Sequence, residues 1–210
     1  MKKWLLCTAA TSLLFLGTSA SAKQDSGGYI IGQSLPSSPT VISGIVLVNK
    51  QHPLPKNYTP GENKQARSAF TRWQRAAKKA GYSMTAFSTY RSFTYQQTLY
   101  NRYVAQDGKK AADRYSARPG YSEHQTGLAF DIGNPTQTKH YASQSFGTTA
   151  TGKWAAKTAH RYGFIMRYPK GKTHITGYMY EPWHFRYVGK SRATKIYNKQ
   201  LTLEQYLNVD

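Results

Sequence analysis

Helical and strand patterns follow one another irregularly along this chain of 210 residues. Helical periodicity is clearest over residues 59–81, where small and aromatic side chains recur every three or four positions and bases occupy the opposite face. Further helices are predicted over residues 94–108, 152–162 and 193–207, and strands over residues 84–90, 128–132, 164–168 and 178–187. Because this order contains neither a regular β-α-β repeat nor a glycine-rich phosphate loop, we predict an α+β fold rather than a doubly wound one.

Two of the predicted helices carry recognisable start and stop signals. Thr59 is predicted to cap the first helix, with Glu62 reaching back to the cap nitrogen. Thr94 is predicted to begin the second helix in a similar capping box. Glycines are predicted to end both helices, at Gly81 and at Gly108.

The N-terminus has the features of a secretory signal peptide. Lys2 and Lys3 precede an apolar stretch over residues 4–16, and small residues follow as far as Ala22. We predict a signal peptide over residues 1–22, a flexible linker over residues 23–40 and a folded domain over residues 41–210. The apolar stretch is shorter than the ~20 residues of a spanning helix, so no stable membrane span is expected after cleavage. The expected location is extracytoplasmic, either secreted or at the cell wall.

The chain is strongly basic, with 29 lysines and arginines against nine acids and a formal net charge of +20. This excess indicates anionic surroundings or partners but does not choose among them. Export makes nucleic acid an improbable partner, and the chain has no recognisable nucleic-acid recognition motif, so anionic cell-wall polymers are the expected partners. We expect a monomer. The single cysteine, Cys7, lies in the predicted signal peptide, which excludes a disulfide framework in the exported chain.

Two short motifs contain the candidate catalytic residues. His124 and Asp131 lie seven positions apart in a stretch that also holds the small residues Gly127 and Ala129, and Glu181 precedes His184 by three positions. Two histidines and one carboxylate are a common catalytic zinc set, which leaves the other carboxylate free to act as a general base. Pro182 makes a helical arrangement of the second motif unlikely, so a strand end or loop is expected there. Each histidine alone has a simpler interpretation as a hydrogen-bonded structural residue, and only their combination favours a metal site.

Two further charged residues, Arg91 and Glu123, have separate predicted roles. Arg91 lies between a predicted strand and a predicted helix, where its guanidinium either clamps a carboxylate or oxyanion or pairs with a loop carbonyl. Glu123 is interpreted as a structural residue that caps or pairs locally.

At these residues the sequence resembles the zinc D-alanyl-D-alanine carboxypeptidases of the VanY type, which share a metallopeptidase fold with lysostaphin and the hedgehog signalling domain. The resemblance covers roughly residues 47–188. Its motifs are Leu-Val-Asn-Lys from residue 47, Tyr-Arg-Ser from residue 90, Ser-x-His-x-x-Gly-x-Ala-x-Asp from residue 122 and Glu-Pro-Trp-His from residue 181. The implied fold is a small antiparallel sheet flanked by helices, with the zinc site on the sheet.

The resemblance also implies a role for individual residues. It implies that Zn²⁺ is bound by His124, Asp131 and His184. It implies that Glu181 is the general base and later the proton donor, and that Arg91 steadies the scissile carbonyl. The resemblance further implies that the substrate is contacted by Ser122, Gln96 and Trp183.

The sequence therefore predicts a secreted zinc D-alanyl-D-alanine carboxypeptidase that removes the terminal D-alanine from peptidoglycan stem peptides. An L,D-carboxypeptidase or a peptidoglycan endopeptidase with the same metal site is the nearest alternative, because the core motifs do not separate these activities. A non-catalytic cell-wall binding module with a structural metal is the alternative from another class. In that module Glu181 would be a fourth metal ligand.

Overall fold

The computed structural model of the chain describes residues 22–210, so the predicted signal peptide lies outside the described residues apart from its last position. The α-helices are α1 (Lys64–Lys79), α2 (Phe93–Asp107), α3 (Lys109–Tyr115), α4 (Ala150–Thr158), α5 (Thr173–Thr176), α6 (Lys190–Asn198) and α7 (Leu203–Leu207). The strands are β1 (Val41–Ile42), β2 (Ile45–Val46), β3 (Thr85–Ser88), β4 (Ala129–Gly133), β5 (Phe164–Tyr168) and β6 (Glu181–Tyr187). Short 3-10 turns cover Glu123–Thr126, Thr138–His140, Gln144–Thr148 and Ala159–Tyr162. Within the described part of the chain, none of the helices has the length and hydrophobicity needed to cross a membrane.

Four strands form one antiparallel sheet in the order β3-β4-β6-β5. A separate hairpin pairs β1 with β2. Helices surround this small sheet, so the predicted α+β fold is confirmed.

The core lies between α1 and one face of the sheet. Phe130 and Ile132 alternate along β4 with Ala129 and Asp131, so the two pairs point to opposite faces. Phe130 and Ile132 pack in the same buried cluster as Trp73 of α1, which is fully buried. Asp131 therefore projects from the sheet face opposite α1, outside the apolar cluster that α1 forms with Phe130 and Ile132.

The first predicted helix starts later than its sequence signal. Asn63 caps α1, since its side-chain oxygen accepts a hydrogen bond from the Ala66 backbone nitrogen at 2.9 Å. The predicted cap at Thr59 is wrong. Gly61 has a left-handed φ of +72°, which ends any helix from that side, and Glu62 pairs with Arg67.

The other predicted elements agree with the structure to different degrees. The second helix begins at Phe93, capped by Ser92 and not by Thr94, and ends before Gly108 as predicted. The strand over residues 164–168 is confirmed at both ends. The single C-terminal helix predicted over residues 193–207 is wrong, because Gln200 takes a left-handed φ of +53° and Thr202 starts α7 with its own capping box.

The segment predicted as a flexible linker packs against the domain in its first part. Tyr29 is only 1% exposed and lies edge-on against Tyr121, with ring centroids 4.9 Å apart. Asp25 pairs with Arg118 at 2.7 Å. An aromatic side chain and an ion pair thus hold residues 25–29 in place, although their Gly-rich composition is typical of a linker.

The Asp25–Arg118 pair makes a testable contribution to acid stability. Burial alone would raise the pKa of Asp25, but hydrogen bonds from Arg118 and from the Tyr29 and Gly27 backbones outweigh it and lower the pKa from 3.8 to about 2. The folded carboxyl has the lower pKa, so its stabilisation is present above pH 3.8 and is lost as the pH falls towards 2. We expect Asp25→Asn to reduce the free energy of unfolding by about 1 kcal/mol at pH 7, because the pair is partly exposed.

Urea unfolding at a series of pH values would test this expectation. The difference between the wild type and Asp25→Asn should shrink between pH 4 and pH 2. The matched control is Asp210→Asn, which changes an exposed terminal carboxylate. A difference that stays constant over this pH range would contradict the assignment.

Candidate active site

A cleft of about 820 Å³ opens on the face of the sheet opposite α1. It extends from the ends of β4 and β6 to the side of α2. All eight residues predicted for the site line this cleft: Arg91, Gln96, Ser122, His124, Asp131, Glu181, Trp183 and His184. Sequence positions that span 94 residues, from 91 to 184, are thereby brought to one place.

Three elements bring the predicted metal ligands together. Asp131 of β4 and His184 of β6 are direct partners in the antiparallel register. His124 comes from the 3-10 turn before β4, which ends at Gly127 in a left-handed conformation with φ +69°. A side chain at Gly127 would also collide with the Gly61 backbone, which explains the glycine in the motif. One ligand atom from each of the three residues lies within 4.8 Å of the others.

Hydrogen bonds determine which histidine nitrogens face the centre of this group. His124 Nδ1 donates to the backbone carbonyl of Thr89 at 2.5 Å, which leaves Nε2 unprotonated and 3.2 Å from Asp131 Oδ2. His184 Nε2 lies 3.3 Å from Glu123 Oε2, and its Nδ1 lies 3.3 Å from Asp131 Oδ1. His124 Nε2 and Asp131 Oδ1 are buried without a hydrogen-bond partner.

Converging lone pairs of this kind fit a divalent cation. Buried acceptors without donors are costly unless something else satisfies them, and a cation would do so. Two imidazole nitrogens and one carboxylate are a typical set for Zn²⁺.

The protonation of the three residues is set by burial and by their neighbours. Burial, together with the Arg91 charge, lowers the pKa of His124 to about 4, so the ring is neutral near pH 7. Burial alone would raise the pKa of Asp131, but the two histidines hold it well below its usual range. Burial would lower the pKa of His184, but the adjacent carboxylates of Asp131 and Glu123 raise it to about 9. A bound cation would replace this His184 proton.

Glu181 lies beside the three ligands because of an irregularity in β6. Met166 pairs with Phe185 and Tyr168 pairs with Glu181, so β6 has three residues where β5 has only Arg167. This bulge breaks the alternation of the strand and allows residues 181 and 184 to reach the same site. Glu181 Oε2 is 3.6 Å from His184 Nδ1. Burial is the main cause that raises the pKa of Glu181 to about 8.

The Arg91 guanidinium is oriented towards the same centre. Its Nη1 donates to Gln96 Oε1 at 2.9 Å and its Nη2 to Asp131 Oδ2 at 3.4 Å. Its Nε is buried without a partner. Gln96 also donates from Nε2 to the Ala117 carbonyl at 2.7 Å, so both ends of its amide are engaged. In the structure Gln96 therefore fixes Arg91, while its predicted contact with a substrate stays a prediction.

Ser122 and Trp183 occupy the wall of the cleft. Both are largely buried, at 4% and 7% exposed, and both line the cleft. Trp183 also packs into the core behind the sheet, which holds its ring in place. Their contacts with a ligand stay predictions.

Glu123 differs from its interpretation as a locally paired residue. Its buried carboxylate accepts hydrogen bonds from Arg167 Nε and Arg186 Nη1, each at 2.8 Å, and faces His184 Nε2. These partners lie 44 to 63 positions away in the chain, so local pairing is wrong. Arg167 between Met166 and Tyr168, and Arg186 between Phe185 and Tyr187, were the sequence signal for a buried acid that would pair with them.

Comparisons with known proteins agree on one family. The family model for VanY, D-alanyl-D-alanine carboxypeptidase, matches residues 61–190. A putative carboxypeptidase, YodJ of Bacillus subtilis, is 43% identical over 181 residues, which cover 77% of this chain and 66% of that protein. The chain thus spans about two thirds of that relative's length.

Two solved structures have the same fold. The L,D-carboxypeptidase DacB from Streptococcus pneumoniae is 46% identical, with a TM-score of 0.71 over 79% of this chain and 87% of that one. A vancomycin-resistance D,D-pentapeptidase VanY, solved in complex with Zn(II), is 36% identical, with a TM-score of 0.67 over 78% of this chain and 98% of that one. The predictions of family and fold are confirmed, and the Zn(II) complex supports zinc as the ion for the ligand set described above.

Proposed function

The chain belongs to the VanY family of D-alanyl-D-alanine carboxypeptidases, and we propose that it is a zinc carboxypeptidase that releases the terminal D-alanine from peptidoglycan stem peptides. The observation that carries this proposal is the placement of Glu181 and Arg91 around the three converging ligands in one cleft. A closed structural metal site would need a fourth protein ligand. Glu181 is not part of the ligand group within 4.8 Å, which favours an open catalytic site over a non-catalytic module.

The residues of the site divide the work of hydrolysis. His124, Asp131 and His184 would hold the ion. A bound Zn²⁺ would polarise the scissile carbonyl and lower the pKa of a water towards about 7. In its ionised form, Glu181 takes a proton from the attacking water as the water oxygen bonds to the carbonyl carbon. Glu181 then delivers the proton to the nitrogen of the leaving D-alanine as the C–N bond breaks.

Arg91 acts on the carbonyl oxygen of the same peptide bond. Its side chain lines the cleft and is 17% exposed, so its terminal N–H groups can reach an oxyanion. Its two terminal nitrogens are fixed by Gln96 and Asp131. Because the donor is fixed before substrate binds, stabilising the developing charge requires little reorganisation.

The length of the stem peptide distinguishes two forms of this activity. The sequence prediction was cleavage of a D,D bond in a pentapeptide. The solved L,D-carboxypeptidases are 45–46% identical to this chain, whereas the D,D-peptidase VanY is 36% identical. This difference in identity favours the alternative, cleavage of the L,D bond before the terminal D-alanine of a tetrapeptide, and we propose it as the preferred reaction.

Digestion of defined stem peptides tests both the carboxypeptidase activity and the preference for the tetrapeptide. We expect the intact protein to release free D-alanine, with a higher kcat/KM on the tetrapeptide than on the pentapeptide. EDTA should abolish release, and added Zn²⁺ should restore it. Preference for the pentapeptide would return the assignment to a D,D-carboxypeptidase. Release that resists EDTA, or no release from either peptide, would contradict the proposed function.

A basic surface on the far side of the sheet supports the proposed partners. The outer faces of α1, α4 and the following turn carry exposed bases, among them the six side chains of Arg72, Arg75, Lys79, Lys153, Lys157 and Arg161. None of these six side chains pairs with an acid of residues 22–210. We propose that this surface retains the protein on anionic cell-wall polymers outside the cytoplasm, while the cleft on the opposite face stays accessible.

A further inference from the structure

A chain of buried charges leads from His184 to the C-terminal helix. Glu123 Oε2 lies 3.3 Å from His184 Nε2, and Glu123 Oε1 accepts from Arg167 Nε at 2.8 Å. Arg167 in turn donates through Nη1 to Glu204 Oε2 at 2.8 Å and through Nη2 to Glu204 Oε1. Glu204 belongs to α7 and is 0% exposed.

The four charged members of this network balance one another. Glu123 and Glu204 supply two negative charges, and Arg167 and Arg186 supply two positive charges. Their side chains are at most 1% exposed. Buried ions are stable only when each is paired and its hydrogen bonds are satisfied, so the loss of one member disturbs the orientation of the others.

Hydrogen bonds connect Glu204 indirectly to the metal ligand His184, which it does not contact. Both carboxylate oxygens of Glu204 accept hydrogen bonds from Arg167, and this bidentate geometry fixes the plane of the guanidinium. The fixed guanidinium presents Nε to Glu123, which directs the other Glu123 oxygen at His184 Nε2. This contact fixes the orientation of the His184 ring, so that Nδ1 faces Asp131 Oδ1 at 3.3 Å.

We propose that Glu204 is a positioning residue of the metal site, acting on His184 through Arg167 and Glu123. Asn49 Nδ2 supports it with a hydrogen bond to Glu204 Oε1 at 3.2 Å. Asn49 and Glu204 both lie outside residues 61–190, the part of the chain that the family model matches. In this protein the last helix is therefore a part of the metal site's support.

The test compares two substitutions in α7. Glu204→Gln removes the negative charge that pairs with Arg167. Leu207→Ala removes apolar contacts of the same helix, in a cluster that does not include the charged network. We expect Glu204→Gln to weaken zinc affinity about 10-fold, measured by competition with a chelator, as typical for partners of metal-bound histidines. The visible absorption of the Co²⁺-loaded protein should change as well, because the spectrum reports ligand geometry. Leu207→Ala should retain the zinc affinity and the Co²⁺ spectrum of the wild type.

Several results would overturn the proposal. Wild-type zinc affinity and an unchanged Co²⁺ spectrum in Glu204→Gln would do so, and so would equal losses of affinity in the two variants. If Glu204→Gln does not fold, Glu204→Asp provides the test. Its shorter side chain keeps the charge but moves the carboxylate away from Arg167. A folded Glu204→Asp with wild-type affinity and spectrum would contradict the proposal, and an altered spectrum would support it.

The inference depends on the proposed function in one respect, namely that the site binds a metal ion. Zinc affinity and the Co²⁺ spectrum are measured without any peptide. A protein that binds zinc but releases no D-alanine would contradict the proposed function and would leave the role of Glu204 intact.

Discussion

Replacing Glu181 with glutamine is expected to lower kcat/KM for D-alanine release by about 10³-fold and to leave the zinc content unchanged. Glutamine has nearly the same shape as glutamate but cannot accept the proton of the attacking water. Glu181 is buried in the cleft beside His184 and lies outside the ligand group of His124, Asp131 and His184. Its loss should therefore remove proton transfer without removing the metal.

The control for this variant is Glu62→Gln. Glu62 pairs with Arg67 before α1 and does not line the cleft, so its substitution should leave kcat/KM unchanged. Kinetics on the preferred stem peptide and zinc analysis of the same preparations give the comparison. If Glu181→Gln loses zinc, Glu181 is a metal ligand and the site is closed. If the variant keeps near-wild-type activity, another group moves the proton.

Replacing Arg167 with methionine is expected to reduce the free energy of unfolding by about 3–5 kcal/mol. Arg167 is fully buried in β5 and bridges two buried acids, Glu123 and Glu204. Methionine fills part of the space but leaves Glu204 with a hydrogen bond from Asn49 as its remaining side-chain partner. Uncompensated charge in a buried site is the reason for the large expected loss.

Two further variants separate charge loss from loss of packing. Arg72→Met removes an exposed arginine and should change the free energy of unfolding by no more than about 0.5 kcal/mol. The double variant Arg167→Met with Glu204→Gln should lose less than the sum of the two single losses, because neither charge is then left unpaired. Urea unfolding measures all four. A loss of under about 1 kcal/mol in Arg167→Met, the size seen for exposed pairs, would show that the network contributes little to stability.

The sequence predicted the elements whose signals are local. The apolar stripe of the first helix and the strand Phe164–Tyr168 follow from periodicity, and the structure confirms both. The metal-ligand candidates followed from residue chemistry, and pairing of β4 with β6 brings Asp131 and His184 together. Helix boundaries were predicted less accurately, because Gly61 and Gln200 adopt left-handed conformations that composition alone does not reveal.

Long-range pairing was the part that the sequence did not predict. Glu123 pairs with Arg167 and Arg186 across the sheet, and Glu204 joins them from the last helix. No periodicity links these positions, since the contacts depend on how β5, β6 and α7 pack. The bulge that brings Glu181 to His184 has the same origin in strand register. These features needed the three-dimensional arrangement to become visible.

Anomalous diffraction at the zinc edge, from crystals of the intact protein, tests the central claim most directly. We predict one zinc ion per chain, bound by His124 Nε2, an Asp131 carboxylate oxygen and His184 Nδ1, with Glu181 nearby but not bound to the ion. Zinc bound at other residues, or Glu181 as a fourth protein ligand, would contradict the account of an open catalytic site.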